Sequence, residues 1–293
     1  MRVAVIDVGS NTVRLLVATR KDGAVRPLRE ERTALGLARD IERTGRISRE
    51  KLARAAQLVR RYARDASEAG AVRVDVLVTA PRRQSANGDE LGEVISSVTG
   101  LPVRALSAEE EGRLAFAGVA ATLPAAPSSL AVCDVGGGST QLVFGTAGGP
   151  VWFRTLDVGS LRLAQRFLVH DPPGDDDLER LRACVEDSFA GLAPPLPRCA
   201  VATGGTARAL RRVVGRTLGR KQLAKAEAEL RSSPAAQIVE QYRLPLWRAQ
   251  TLLAGVVVLA AAQRRLNAPL VVARAGLREG AVLESLAASM QAA

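Results

Sequence analysis

Along this chain, short runs in which nearly every residue is apolar alternate with longer stretches in which apolar residues return every three or four positions. The first kind reads as buried strand, the second as amphipathic helix. Val3 to Ile6 and Val13 to Ala18 predict an opening hairpin, with a further strand near Val25 to Arg29. Behind Ser48, a good N-cap, Leu52, Ala55, Leu58, Val59 and Tyr62 follow helical spacing. Val74 to Val78 predicts a buried strand. The next helix starts at Asn87 or Asp89, carries Leu91, Val94 and Ile95, and stops at Gly100. After a strand over Val103 to Leu106, Ser107 with Glu110 spells a capping box for a helix ending near Ala120.

Thr122 to Ser129, with Pro124, Pro127 and two serines, reads as a linker, and the same plan then restarts. Leu130 to Asp134 and Thr140 to Gly145 predict a second hairpin, followed by a strand over Val151 to Leu156. Helices are expected over Ser160 to Leu168, Asp175 to Phe189, Ala207 to Val214, Lys221 to Arg231 and Leu246 to Arg265, the last strongly apolar and central. Cys199 to Thr203 and Leu270 to Val272 are strands, and a terminal helix follows Gly276 to Gly280. The pattern predicts two α/β lobes related by a pseudo-repeat, with a cleft between them.

The repeat is visible in detail. Val5-Ile6-Asp7-Val8-Gly9-Ser10-Asn11-Thr12 returns as Val132-Cys133-Asp134-Val135-Gly136-Gly137-Gly138-Ser139. Each copy is a strand ending in Asp-Val-Gly, a turn of small residues and a second apolar strand. Such turns let backbone N–H groups approach oxyanions, while a strand-end aspartate can hold a cation or orient water. Taken singly, either copy also reads as an ordinary glycine hairpin. A third strand-to-turn segment, Thr203-Gly204-Gly205-Thr206, has the same character. None is a P-loop or a GxGxxG dinucleotide turn.

Bulk properties narrow the chemistry. The 293 residues suffice for two buried cores, and 47% hydrophobic with 24% charged residues describe a globular chain. No apolar run reaches the roughly 18 residues of a membrane span; the nearest is Thr251 to Ala262. Met1-Arg2-Val3 leads directly into a strand, so no signal peptide and a cytoplasmic location are expected. A net charge of +11 favours polyanionic partners, although high Arg with high Ala also fits a GC-rich genome. Aromatic residues make up 3% of the chain, too few for nucleic-acid stacking platforms, so no specific nucleic-acid partner is expected. Cys133, Cys184 and Cys199 show no pairing or zinc spacing, and Cys133 reads as a small buried hydrophobe. The single histidine, His170, falls at a helix end before Pro172-Pro173, leaving no material for a histidine-based triad or metal site.

The order of the three turns resembles the ribonuclease-H-like ATPase superfold shared by actin, sugar kinases and heat-shock-type chaperones. Five segments narrow the likeness: Val5 to Thr12; Thr79-Ala80-Pro81-Arg82-Arg83-Gln84-Ser85-Ala86-Asn87; Leu106 to Leu114; Asp134 to Thr140; and Gly276-Leu277-Arg278-Glu279-Gly280. In this order and across the whole chain they resemble the exopolyphosphatase/guanosine pentaphosphate phosphatase family, in its short two-domain form. The resemblance implies ribonuclease-H-like lobes at residues 1–123 and 128–293, with helix 280–293 packing back on the first. It also implies release of orthophosphate from inorganic polyphosphate or from the 5′ end of pppGpp, with Mg²⁺, or Mn²⁺ in its place, and a homodimer as one way of gripping long chains.

Residue by residue, Glu111 matches the family's catalytic carboxylate, which activates water, and Arg83 its phosphoryl-gripping arginine. Glu109 and Glu110 are equally suited by helix-end logic, and Arg82 is the obvious confusion with Arg83. Asp134 and Asp7 are the expected metal or water-orienting carboxylates, Asp134 the better of the two. Ser10, Asn11, Thr12, Gly136, Gly137, Gly138, Ser139, Thr140, Gly204, Gly205 and Thr206 are the expected phosphate donors. One departure stands out: the family commonly has Glu after the Gly-Gly-Gly-Ser-Thr run, and here Gln141 follows. An amide cannot act as a base and is a weak Mg²⁺ ligand. Gln141 therefore leaves open a weakly active or non-catalytic polyphosphate or nucleotide sensor, unless Arg14, its counterpart in the first copy, shows the position to be permissive.

Overall fold

The computed structural model describes residues 1–21, 24–123, 125 and 127–291. It divides into two compact units, Met1–Pro124 with Ala275–Ala293, and Ala125–Arg274. Part of the expected linker, Pro124 and Ala126, lies outside the described residues.

The first unit opens with β1 (Arg2–Val8), β2 (Thr12–Lys21) and β3 (Ala24–Ala34), then α1 (Leu37–Thr44) and α2 (Arg49–Glu68). It continues through β4 (Arg73–Val78), α3 (Ala80–Gln84), α4 (Gly88–Thr99), β5 (Val103–Ala105) and α5 (Ala108–Ala120). The second unit holds β6 (Leu130–Val135), β7 (Thr140–Thr146), β8 (Gly149–Leu156), α6 (Ser160–Phe167), α7 (Asp175–Phe189), β9 (Cys199–Thr203), α8 (Gly204–Val214) and β10 (Thr217–Leu218). Then come α9 (Arg220–Ser232), α10 (Ala235–Tyr242), α11 (Leu246–Leu266) and β11 (Leu270–Val272). The last helix, α12 (Leu277–Gln291), belongs to the first unit.

The pseudo-repeat is realised in the sheets. The first has the order β3-β2-β1-β4-β5; the second, read from its other edge, is β8-β7-β6-β9-β11-β10. In each, an antiparallel three-strand meander is extended by two parallel strands, and in the second sheet the short β10 adds an antiparallel edge on β11. Both faces of the first sheet are covered, which explains why its strands read as unbroken apolar runs. Ala4, Ile6, Val8, Leu15 and Val17 face Leu52, Val59 and Tyr62 of α2 and Leu91 and Ile95 of α4. The alternate residues Val3, Val5, Leu16 and Ala18 face Leu114 of α5 and Ala281, Val282 and Leu286 of α12.

Several boundaries differ from the sequence expectation. The third strand runs through Ala34, well beyond Arg29, because β2 pairs with it along its whole length. Gly204 to Thr206 is the first turn of α8 rather than a turn ahead of it, and Gly280 lies inside α12. α6 ends at Phe167, before His170. α1, α3 and α10, all short, follow no long periodic signal. By length and composition α11 could cross a membrane; 67% of its apolar stretch is buried in the second unit, where it packs against α6, α7, α8, α9 and α10.

The Gly-Leu-Arg-Glu-Gly segment is structural cement. A Cβ on Gly280 would overlap the Leu114 carbonyl of α5, and one on Gly118 would overlap the Gly276 carbonyl, so two helices meet backbone to backbone. Between the glycines, the buried Arg278 donates from Nη1 to the Leu15 carbonyl of β2 at 3.1 Å. Glu279 accepts from the Gly276 N–H at 2.8 Å. We expect Gly280→Ala to cost about 2 kcal/mol or more of stability in urea denaturation, the range of overpacked cores. A loss under about 0.5 kcal/mol, the ordinary surface range, would show that this contact does not constrain α5.

Candidate active site

Parallel strands of an α/β sheet with helices on both faces end at one edge, where loops collect and ligands are usually received. In the first unit, β1, β4 and β5 end together. The Thr79 N–H and hydroxyl donate to the Val8 carbonyl at 3.3 and 3.4 Å, and the Leu106 N–H donates to the Val78 carbonyl at 2.8 Å. These bonds bring three segments side by side: the Asp7 turn, the Thr79 to Asn87 loop with α3, and the start of α5.

The two candidate catalytic side chains meet there. Arg83 donates from Nη1 to the Leu106 carbonyl at 2.8 Å and to Glu111 Oε1 at 2.5 Å. The pair is largely sheltered, with side-chain exposures of 24% and 8%. Geometry also separates them from their neighbours. Glu110 closes the capping box with Ser107 and bonds Arg104 at 2.7 Å, while Glu109 is exposed. The capping-box hydrogen bonds and the Arg104 guanidinium explain why the Glu110 carboxyl falls to about 2, with Arg104 the larger cause. Arg82 points instead to Asp89, at 2.7 Å. Asn87, which fixes the loop register, clamps the Ile47 backbone through both ends of its amide, at 2.8 and 3.0 Å.

The first Asp-Val-Gly turn is buried. Asp7 Oδ2 lies 2.7 Å from Arg14 Nη2, its cross-strand partner, without the alignment of a hydrogen bond, and accepts none among the described residues. Ser10 Oγ in the same turn is likewise buried without a hydrogen bond. Buried polar atoms left so are uncommon and call for a ligand or water. Thr12 opens β2, and its carbonyl accepts the Gly9 N–H at 3.1 Å. The Ser10 carbonyl accepts from Ala38, and the Asn11 carbonyl from Leu35 and Gly36.

The second turn keeps the closing bond of the first and moves the accepting carbonyls one residue earlier. The Gly136 N–H bonds the Ser139 carbonyl at 3.0 Å; the Gly136 carbonyl accepts from Ser160 and the Gly137 carbonyl from Leu161 and Arg162. Because the N–H and C=O of a trans peptide point in opposite directions, the N–H groups of Gly137 and Gly138 face away from α6. That is the disposition a phosphate cradle needs. The cradle is packed tightly: a Cβ on Gly159 would overlap the Gly137 and Gly138 backbone.

Other expected donors are already engaged. The Thr140 hydroxyl donates to the Val158 carbonyl. Gln141, buried and directly across from Asp134, donates from Nε2 to Ser139 Oγ at 2.9 Å. Gly204, at φ +89°, leaves room for Asp134 Oδ1, which a Cβ there would crowd; the aspartate thus lies at the N-terminus of α8. A residue outside the sequence expectation joins them. Arg248, buried in the first turn of α11, donates from Nη1 to Thr206 Oγ1 at 3.2 Å and lies over the Trp247 ring at 4.6 Å. Its Nη2 lies close above Gly205. The signal was present in the sequence, since an arginine at the start of a helix opposes the macrodipole and needs a reason to be there.

Comparison with known proteins gives the family. The profile of the Ppx/GppA phosphatase family matches residues 16–289. Exopolyphosphatase 1 of Mycobacterium tuberculosis is 29% identical, over 98% of this chain and 88% of its own. An uncharacterized protein of Streptomyces coelicolor is 30% identical, over 88% of this chain and 82% of its own. Among solved structures, the Ppx/GppA family member of Aquifex aeolicus superposes with a TM-score of 0.83 at 28% identity, covering 99% of this chain and 98% of its own.

Two expectations follow. Gly159→Ala should lower stability by about 2 kcal/mol through displacement of the triple-glycine turn; an unchanged urea midpoint would mean that the turn does not rest on α6. The Glu110 carboxyl, with a folded pKa near 2 against 4.5 for the free group, stabilises fully above that free value and loses its contribution as pH falls toward 2. Glu110→Gln should therefore be less stable than the parent at neutral pH, by no more than about 1 kcal/mol for so exposed a pair. The gap should close at the acid end of a urea and pH series; one that persists there would assign it to something other than the ion pair.

Proposed function

The chain belongs to the Ppx/GppA phosphatase family, and we propose that it is an exopolyphosphatase, releasing the terminal orthophosphate of inorganic polyphosphate by attack of water. The observation that carries this reading is the selection of Glu111. Of three consecutive glutamates, it alone is buried and in contact with Arg83. The name of the mycobacterial relative supports the choice of substrate, as does the chain's charge of +11.

In this reading Glu111 accepts a proton from the attacking water as its oxygen bonds to the terminal phosphorus. The bridging P–O bond breaks, and its electron pair leaves on the shortened chain. Arg83, which already faces Glu111, presents its guanidinium to the transferred phosphoryl and offsets the charge that develops there. The amides of Gly137 and Gly138 and the Ser139 hydroxyl hold phosphate oxygens. A reaction of this kind needs positioning and charge compensation more than covalent chemistry, so a site without histidine suffices.

The residues also fit a divalent cation. Asp7 offers a buried carboxylate oxygen that accepts no hydrogen bond, Asp134 a strand-end carboxylate, and no set of three acidic, histidine or cysteine ligands exists among the described residues. Mg²⁺ is commonly held in this way, by one or two carboxylates together with substrate phosphates and water. Asp134 of the second unit and Asp7 of the first are the carboxylates that would each offer a ligand to such an ion, and it would screen the phosphate charge.

Glu111→Gln should reduce orthophosphate release from polyphosphate by about 10²- to 10⁴-fold, the usual contribution of a positioned base, with an unchanged circular dichroism spectrum. Release within about twofold of the parent would overturn the assignment, since a general base cannot be lost so cheaply. Comparing kcat/KM for long polyphosphate, tripolyphosphate and pppGpp decides the substrate. Preference for pppGpp would move the same chemistry to the guanosine nucleotide. Tight binding without release, with Mg²⁺ or Mn²⁺, would make the protein a sensor.

A further inference from the structure

The sheet of the first unit ends on one side at β5, which pairs with β4 alone. Just past that strand, the Leu106 N–H is turned inward to the Val78 carbonyl of β4. Backbone polar groups alternate sides along a strand, so Arg104 faces β4 as well, while Val103 and Ala105 turn their N–H and C=O groups to the open edge. Side chains alternate between the faces. Val103 packs toward α4, and Arg104 reaches Glu284 of α12 on the opposite face.

A groove opens on each face of this edge. On the α4 face it encloses about 410 Å³, with Gly88, Gly92 and Ser96, on successive turns of α4, across from Val103 and Ala105. Arg82 and Asp89 pair at its rim, whereas Glu93, on the same rim, is exposed and makes no ion pair among the described residues. Two carboxylates thus stand against one guanidinium, on a chain whose net charge is +11. On the α12 face a groove of about 260 Å³ lies between β4, β5 and α12, walled by Val76, Leu77, Pro102, Ala281 and Ala288. The charged groups around it answer one another, Arg73 with Asp75 at 2.9 Å and Arg104 with Glu284. Ser285 lines the same groove; the residue is 2% exposed and its hydroxyl makes no hydrogen bond among the described residues. A buried hydroxyl left in that state calls for a partner from outside.

We propose that the β5 edge docks an extended, basic segment of another protein, which adds a strand to the sheet and sets alternate side chains into the two grooves. Lysines or arginines enter the α4 groove, and a hydroxyl- or amide-bearing side chain between them meets Ser285. Strand addition draws affinity from main-chain hydrogen bonds and specificity from pockets for alternate side chains. The stem of a basic side chain lies along the glycine surface of α4 while its head reaches Asp89 and Glu93. Ser285 can donate to, or accept from, a hydroxyl or an amide. A second copy is disfavoured, because two β5 strands paired antiparallel about a two-fold axis bring two Arg104 side chains face to face. An edge of three residues is too short for indiscriminate pairing, so the grooves do the choosing. β5 leads straight into Leu106, whose carbonyl holds Arg83, and a docked strand therefore borders the candidate catalytic loop. The docking site does not depend on the polyphosphate reading.

The probe is the end-capped peptide Lys-Thr-Lys-Thr-Lys, which presents the expected alternation, with Lys-Lys-Lys-Thr-Thr as a control of equal charge and composition. Each is titrated into the full chain and followed by amide chemical shifts. The alternating peptide should shift the Val103 and Ala105 amides and bind about tenfold more tightly than the control, the effect of one or two side-chain contacts made only in register. Ser285→Ala should weaken it about fivefold, the range of one neutral hydrogen bond. Glu93→Gln should weaken it about threefold, as for an exposed ion pair. Ala105→Pro removes an edge N–H without touching the β4 ladder, and should abolish binding with an unchanged circular dichroism spectrum. No shift at these amides with millimolar peptide, equal binding of the control, or full binding by Ala105→Pro overturns the docking site. A dimer of the parent that Ala105→Pro dissociates would give the edge to a second copy, and overturns it too.

Discussion

In both units the tight turn after the first strand gives its carbonyl oxygens to the amides that open the next helical segment. Ser10 and Asn11 are received by the stretch leading into α1, and Gly136 and Gly137 by the first turn of α6. This exchange removes the helix's orphan N–H groups and fixes the direction of every peptide in the turn. What remains outward is the amide side. In the proposed reading, phosphate affinity is a by-product of how the backbone satisfies itself.

Around that wiring, the first unit is built to hold Glu111 still. Its helix begins in a capping box, is crossed by α12 at a glycine contact, and is tied to it again through Glu284, which binds Arg104 of β5 and Arg113 of α5. Arg83 is held by the Leu106 carbonyl as well as by the carboxylate. The catalytic pair proposed above would need placement to a fraction of an ångström, and rigid elements supply it better than loops.

The second unit reaches a comparable arrangement by other means. Where Arg14 faces Asp7, Gln141 faces Asp134 and turns its amide to Ser139. A carboxylate at Gln141 would have to accept a proton from that serine; the amide donates instead and leaves the serine hydroxyl able to donate elsewhere. The departure at Gln141 therefore has a local structural use. The repeats keep the bond that closes the turn, Gly9 to Thr12 and Gly136 to Ser139, and diverge in the carbonyls they give to the next helical segment and in the charge of one cross-strand row.

The sequence by itself determined the two-lobed α/β plan, the doubled hairpin with its strand-end aspartates, and the capping box at Ser107. Each of these is written in local periodicity or in spacings of a few residues. Local chemistry could not choose among Glu109, Glu110 and Glu111, nor between Arg82 and Arg83, and only the family resemblance singled out Glu111 and Arg83. Packing then places Glu110 in a cap, Glu109 in solvent and Glu111 against Arg83. Nor did the sequence show that Gly204 and Gly280 lie inside helices, that Arg248 sits over the α8 N-terminus, or that Asp7, Arg14 and Arg32 form one row. Those facts depend on contacts between residues far apart in the chain, and long-range contacts are what the tertiary structure alone decides.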